Sequence, residues 1–451
     1  MDVRPAQAPL LALTVGVVLA DSAVVTLALP EILQRLHGTV SQVAWVLLAF
    51  NLVLAVVVVP AAITGRHWNP AILCAAGIVI FAAASAACAG AGSLGVLITA
   101  RSIQALGGAF VLVGCLQLLI DQLGERRGTT WWIVAGVFGT AAGPVAGGLL
   151  TDAFSWRSIF IVQVPIAILA VPAALSQRRR IRPVSTDEPH RPSVAPNLAL
   201  VLLSAALTAV LFLLVLLLVD GWRRSPATAA VTVSVVPLAA LLARPLARLT
   251  RAVPAAETMA GCLLIAGGLV GLALLPSASL GWTIGPQALV GLGLGLTLDR
   301  LTLQAMRDRV PTALHGGWTI AARHAGVVLG LAILTPVFAA DLSSAQTPAQ
   351  DAITALVLDA PLKATDKIAL AQALSDQLHD QQGRIPDLHS AFTRLQLPTD
   401  ERAAGAKLER DLDDQLQRAA THAFRNAFLV GAGLAVAALL SLIPLRRRGA
   451  R

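Results

Sequence analysis

The sequence predicts an all-α polytopic membrane protein, with two six-helix bundles and a long external loop between helices 11 and 12. Three observations carry this prediction. Of the 451 residues, 56% are hydrophobic and 13% charged, and the mean hydropathy is +0.74; soluble domains carry roughly 25% charged residues. Apolar runs close to the ~20 residues that span a bilayer recur twelve times. They are continuous rather than alternating, which argues against a β-barrel. The arginines gather in alternate connections, as in helical proteins whose basic loops stay on the cytoplasmic side.

In chain order the runs cover 9–30, 42–63, 70–91, 95–120, 130–151, 157–176, 197–219, 227–247, 256–276, 281–300, 317–339 and 424–445. The first, from Leu10 to Pro30, fits a spanning helix better than the short core of a signal peptide. Orientation follows from Arg178, Arg179, Arg180, Arg182 and Arg191 after the sixth run and Arg244, Arg248 and Arg251 after the eighth. Arg300, Arg307 and Arg309 follow the tenth, and Arg446 to Arg448 close the chain. An even number of spans with both termini cytoplasmic puts all four clusters inside, at the plasma (inner) membrane. Gly221-Trp222-Arg223-Arg224 runs against the rule.

This placement assigns the net charge of +9 to the membrane surface rather than to nucleic acid. The proline-containing basic stretch 177–196 divides the chain. Residues 1–176 form an N-terminal six-helix bundle, and 197–340 the C-terminal helices 7–11. Residues 341–423 hold thirteen acidic and eight basic residues and form an external, partly helical loop. Its partner is unknown. Residues 424–451 form helix 12 and a basic tail. Cys74, Cys88, Cys115 and Cys262 lie within apolar runs without metal-ligand spacing and read as packing residues.

A small set of residues carries chemistry. Asp21 is the acidic residue placed deep in a span. A carboxylate there needs a partner, water or a proton. Burial disfavours its charged form and a nearby cation favours it, so such a group can carry a proton. Arg101 is the expected partner. At 1.5 Å per residue, Asp21 lies ~18 Å from the inner edge of its span. Arg101, on the fourth, lies ~21 Å up in a core ~30 Å thick. Gln104 is one turn further along the same face. Asn51, Arg323 and His324 are further polar candidates, for a substrate cavity, and a histidine in a membrane can take up a proton. Asp220 and Asp299 sit near span ends, where hydration is expected. In the fifth run, Gly139, Gly143 and Gly147 recur every four residues, with Pro144 and Gly148 beside them. Glycines at that spacing form a face along which another helix approaches closely, and Pro144 suggests a bend.

Several stretches resemble the major facilitator superfamily, in particular its multidrug:proton antiporter branch. Gly139, Gly143, Pro144, Gly147 and Gly148 match the G-x-x-x-G-P-x-x-G-G part of that branch's fifth-helix motif, with Thr130 in place of the leading glycine. Asp21 to Pro30 resembles its D-x-T-I-V-N-V-A-L-P stretch. Arg101-Ser-Ile-Gln104-Ala-Leu-Gly107 resembles R-x-x-Q-G-x-G, with Ala105 replacing a glycine. Trp156-Arg157-Ser-Ile-Phe160 resembles W-R-x-x-F, with Gln163 where asparagine is usual. Gly316 to Gly326 resembles a stretch of the eleventh helix, with His324 replacing glutamine. The loop Gly65-Arg66-His67-Trp68-Asn69-Pro70 lacks the aspartate and second basic cluster of the family's gating latch.

The resemblance implies a two-bundle secondary transporter working by alternating access. Its expected work is proton-coupled efflux of hydrophobic or cationic small molecules, with Asp21, Arg101 and Gln104 coupling the proton. The fifth helix would lie at the interface between the halves and act as their sliding surface. No phosphate-binding loop or catalytic constellation is present in the sequence, so neither an enzyme nor a cofactor or metal site is expected. Two alternatives stand beside this reading: a transporter of one specific metabolite, and a non-transporting membrane protein whose external loop docks a partner.

Overall fold

The computed structural model describes residues 7–176, 189–250, 253–370, 372, 392 and 402–448. It is helical throughout the spans. In chain order the helices are α1 (Gln7–Arg35), α2 (Val40–Thr64), α3 (Pro70–Ala89), α4 (Leu94–Leu123) and α5 (Glu125–Ala153). Next come α6 (Ser158–Leu175), α7 (Val194–Gly221) and α8 (Pro226–Arg248). The rest are α9 (Pro254–Ala273), α10 (Leu280–Met306), α11 (Thr312–Asp359), α12 (Arg402–Ala423) and α13 (Arg425–Arg448). Eleven segments among the described residues are long and apolar enough to cross a membrane. With α10, the twelve expected spans are accounted for.

Local sequence sets the helix ends. Thr39 and Gln42 form a reciprocal capping box at the start of α2. Asn69 caps α3 and Ser225 caps α8, each followed by a proline at the first helical position, where the missing N–H has no helical partner to lose. Only Gly124, at φ +79°, separates α4 from α5. The apolar runs leave a gap at 121–129, but charged residues do not end a helix, and the chain turns at the one residue there without a Cβ at a left-handed φ.

α1 runs parallel to α5, since Gly16, Ala20 and Val24 face Gly139, Gly143 and Gly147 in the same order. Leu442 and Ile443 near the end of α13 line the same vestibule as Glu125 at the start of α5. The first and last helices therefore both have their outer ends on one side of the bundle, here termed the termini end.

Close glycine contacts recur in the two halves. In the first, α3 meets α4 at Gly77 and Gly107; in the second, α9 meets α10 at Gly261 and Gly293. Each glycine lies against the backbone of its partner, where a side chain would not fit. α5 lies on α1 through Gly139, Gly143 and Gly147, and α11 lies on α7 through Gly326 and Gly330 in the same way. This repeated packing is not visible as sequence similarity.

Three expected boundaries move. Helix α7 begins at Val194, inside the stretch read as a linker, whose residues 177–188 lie outside the described residues. Helix α11 does not stop at 340: it runs 48 residues, ~72 Å at 1.5 Å per residue, against a core of ~30 Å. The Ala-, Leu- and Gln-rich residues after the apolar run are good helix formers, so the helix continues after hydropathy falls. Beyond the end opposite the termini it packs with α12 around Val357, Leu362, Leu408, Leu412 and Leu416. Trp222 anchors α12 by donating its indole N–H to Thr421 Oγ1 at 2.9 Å. Finally, α10 continues to Met306 rather than ending at 300.

A Cβ on Gly139 would lie 2.0 Å from the Gly16 carbonyl oxygen, whereas one on Gly433 meets nothing within 4 Å. Gly139→Ala should therefore destabilise the folded protein by about 1–3 kcal/mol. Gly433→Ala should be neutral or slightly stabilising. Thermal unfolding of the two purified variants, followed by size-exclusion chromatography, checks this; equal midpoints would mean that the close contact at Gly139 contributes nothing.

Candidate functional site

Five helices of the first half converge on Asp21, whose side chain is buried along with those of Arg101, Gln104, Ser85 and Gln163. Arg101 Nη1 forms an ion pair with Asp21 Oδ2 and donates to Gln104 Oε1 at 2.6 Å. Its Nε donates to the Val46 carbonyl at 3.3 Å. The guanidinium lies 4.2 Å above the Phe50 ring, with Phe160 on another side at 5.7 Å. The second carboxylate oxygen accepts from Gln163 Nε2 at 2.8 Å and Gln104 Nε2 at 3.2 Å. Gln104 also donates to Ser85 Oγ at 2.8 Å and Gln163 Oε1 at 3.0 Å.

Both oxygens of Asp21 are engaged, one by Arg101 and the other by the two amides. Arg101 Nη2 has no hydrogen-bond partner, so the guanidinium keeps a donor in reserve.

A cavity of about 320 Å³ lies between the halves, walled by α1, α2, α5, α7, α8, α10 and α11. Its lining is mainly apolar. The polar side chains on it include Ser22, Asn51, Arg244, Asp299, Arg323 and His324. Asp21 does not line it, but its neighbour Ser22 does, donating to Asn51 Oδ1 at 3.3 Å. Asn51 Nδ2 donates to the Leu47 carbonyl at 2.8 Å, which leaves Oδ1 as the acceptor. His324 Nδ1 lies 2.6 Å from that oxygen, joining α11 of the second half to α2 of the first.

A larger vestibule of about 1510 Å³ opens at the termini end between the start of α5 and the ends of α8, α9, α10 and α13. Arg244 lines both spaces. At the opposite end the halves are shut. Gly148 lies against Pro226 and Ala230 of α8, and the outer half of α1 joins α7 in a single apolar core.

The structure brings the expected residues together and corrects two readings. Asp299 is not at the end of its helix. Because α10 continues past it, Asp299 faces the cavity and pairs with Arg244 at 2.6 Å. Arg300 likewise lies within α10, paired with Glu257 of α9. The glycine motif of α5 divides between two faces. Gly139, Gly143 and Gly147 pack on α1 within the first half, and only Gly148 touches the second; Pro144 lines the cavity.

Sequence reasoning missed Ser85 and the role of Gln163. A glutamine in the apolar sixth run was a usable signal, whereas a serine among alanines was not. The loop after α2 is a single 3-10 turn, Gly65–His67. The halves meet at this end elsewhere: Thr312 Oγ1 donates to Glu125 Oε1 at 2.5 Å, and Gly317 lies against Val58 and Ala62.

The sequence profile of the Major Facilitator Superfamily matches residues 11–339. The chain belongs to this superfamily. Among curated relatives, it is 32% identical over 161 residues to the drug efflux pump JefA of Mycobacterium tuberculosis, covering 35% of this chain and 32% of JefA. It is 34% identical over 171 residues to the tetracenomycin C resistance and export protein of Streptomyces glaucescens, covering 37% and 32%. These alignments span about a third of the relatives' lengths. The fold is similar to the crystal structure of a bacterial homologue of the human lysosomal transporter Spinster, in an inward-facing and occupied conformation. That match has a TM-score of 0.65 at 16% identity over 97% of both chains. The superfamily is one of multi-pass membrane transporters, in keeping with the eleven helices among the described residues that are long and apolar enough to cross a membrane.

Arg101→Ala would leave Asp21 charged and buried without its cation, at a cost of about 3–5 kcal/mol. Asp21→Asn/Arg101→Gln should recover part of that loss, because neither charge is then stranded. A double-mutant cycle on thermal stability measures the coupling. Additive effects would show that the pair does not act as a unit.

Proposed function

We propose that this transporter exports apolar small molecules across the plasma membrane in exchange for protons. The buried Asp21–Arg101 pair carries the reading. It lies next to the cavity between the halves but does not line it, so a proton and a substrate have separate places. Protonation of Asp21 releases Arg101 from its anion. The freed guanidinium then competes for Gln104 Oε1 and for the carbonyl groups around it, and the contacts that position α1 against α2 and α4 change.

Three features support alternating access. The vestibule is open at the termini end and the far end is shut. The two halves pack internally through similar glycine contacts. Two polar links among the described residues cross between them, Glu125–Thr312 near the termini end and Asn51–His324 at the cavity wall. Transport by rocking one bundle against the other around a cavity near the bilayer midplane needs this combination of stiff halves and weak cross-links. With the basic clusters inside, the open vestibule faces the cytoplasm. The names of the similar proteins, a drug efflux pump and a resistance and export protein, agree with export.

The test is flux in proteoliposomes holding the full chain, with an imposed pH gradient and a panel of lipophilic compounds. Asp21→Asn should abolish gradient-driven flux; because it strands Arg101, Asp21→Asn/Arg101→Gln is assayed beside it, and that variant should keep downhill substrate exchange while losing the coupled flux. Unchanged uphill transport by that variant would overturn the proton role. Movement of a single compound from the panel would favour a specific metabolite instead.

A further inference from the structure

We infer that the cavity selects an apolar substrate bearing one anionic group, such as an aromatic carboxylate, and that Arg323 binds that group. This rests on the reading of the cavity as the substrate site and replaces the expectation of cationic substrates.

Three side chains on the cavity wall carry a charge at neutral pH: Arg244, Asp299 and Arg323. Arg244 pairs with one oxygen of Asp299 at 2.6 Å, and the charge of Asp299 also acts on Arg323. Arg323 lies half-buried on α11 and makes no hydrogen bond or ion pair among the described residues. The acid nearest in chemistry, Asp21, is closed into its own network with Arg101 and does not reach the cavity. His324, next to Arg323, already uses Nδ1 toward Asn51 and brings no negative charge. The cavity therefore carries two cations to one anion, a net charge of about +1 set in a largely apolar wall.

A guanidinium held in a low-dielectric setting without an anion is unstable relative to one that has it. Its planar donors fit a carboxylate in a two-pronged manner. A lipophilic cation placed here would meet two arginines and a single aspartate, one of whose oxygens is already paired with Arg244. Leu19, Phe138 and Leu211 supply surface for the apolar body. At about 320 Å³ the space is near the lower limit of ~300–1,000 Å³ for small-molecule sites, which excludes a two-chain phospholipid.

The experiment measures binding to the purified full-length protein by calorimetry, without a proton gradient. Three probes share one body: 2-naphthoate, 2-naphthamide and 2-naphthylmethylammonium. Naphthoate should bind about tenfold or more tightly than the amide, and the ammonium more weakly than both. Arg323→Gln should reduce naphthoate to the level of the amide, and Arg323→Lys should restore part of the difference. Equal affinity for the three probes, or charge discrimination that persists in Arg323→Gln, overturns the inference. Should Arg323→Gln fail to fold, the comparison of probes on the unaltered chain still decides whether an anion is preferred. Flux measured in parallel separates the two claims. Discrimination without gradient-driven flux leaves the anion site standing and removes the exporter reading. Flux without discrimination does the reverse.

Discussion

The cost of placing Asp21 and Arg101 in the bilayer interior constrains everything around them. Two charges withdrawn from water recover that cost only if the pair is close and the remaining donors and acceptors are also satisfied. Five helices supply the partners: α1 and α4 give the charges, α4 and α6 the amides, α3 the Ser85 hydroxyl, and α2 the Val46 carbonyl and the Phe50 ring. Displacing any one of these helices uncovers a polar group in an apolar interior. The first half is therefore held together by this network, and a displacement at Asp21 or Arg101 touches all five helices at once.

The glycine stripe extends this constraint to the interface. Ala20 and Val24, which flank Asp21 on α1, lie directly under Gly143 and Gly147 of α5. Contact that close leaves no room for α5 to slide on α1, so the two move as one body. The opposite face of α5 then presents Pro144 to the cavity and Gly148 to α8. A displacement of α1 at Asp21 is passed to the boundary between the halves through backbone contact, without a long side chain in between. This differs from the expectation that the glycines themselves form the sliding surface. They fix α5 to its own half, and the face that meets the other half is the narrower one beside them, at Gly148.

What was legible in the sequence follows from the same physics. A charge inside an apolar run is conspicuous and needs an opposite charge at similar depth, so charge and depth alone bring Asp21, Arg101 and Gln104 together. The small residues of α5 announce a close helix contact but not its partner, because a glycine face fits any backbone. Hydropathy locates the spans and misjudges their ends. Asp299 and Arg300 fall at the edge of an apolar run and read as loop residues, although α10 carries them inside and six residues further. Helix α11 shows the same error on a larger scale, since helix propensity outlasts hydrophobicity there by almost twenty residues. Uncharged partners such as Ser85 leave no mark that distinguishes them from packing residues.

The two halves share a packing scheme and differ in where they put charge. In the first, the acid and base are sealed from the cavity by Ser22 and Asn51. In the second, Arg244, Asp299 and Arg323 face it. The buried pair is enclosed by two amides and a backbone carbonyl, with Arg101 Nη2 left without a hydrogen-bond partner among the described residues, whereas the cavity charges border an open space. The Asn51–His324 contact is the polar bridge between these two environments at the cavity wall. Asn51 is oriented from the first half by Ser22 and Leu47, so the position of His324 on α11 depends on α1 and α2. Arg323 is the residue next to His324 on that helix. Asp21 and Arg323 are therefore linked by a short chain of neighbours, Ser22, Asn51 and His324.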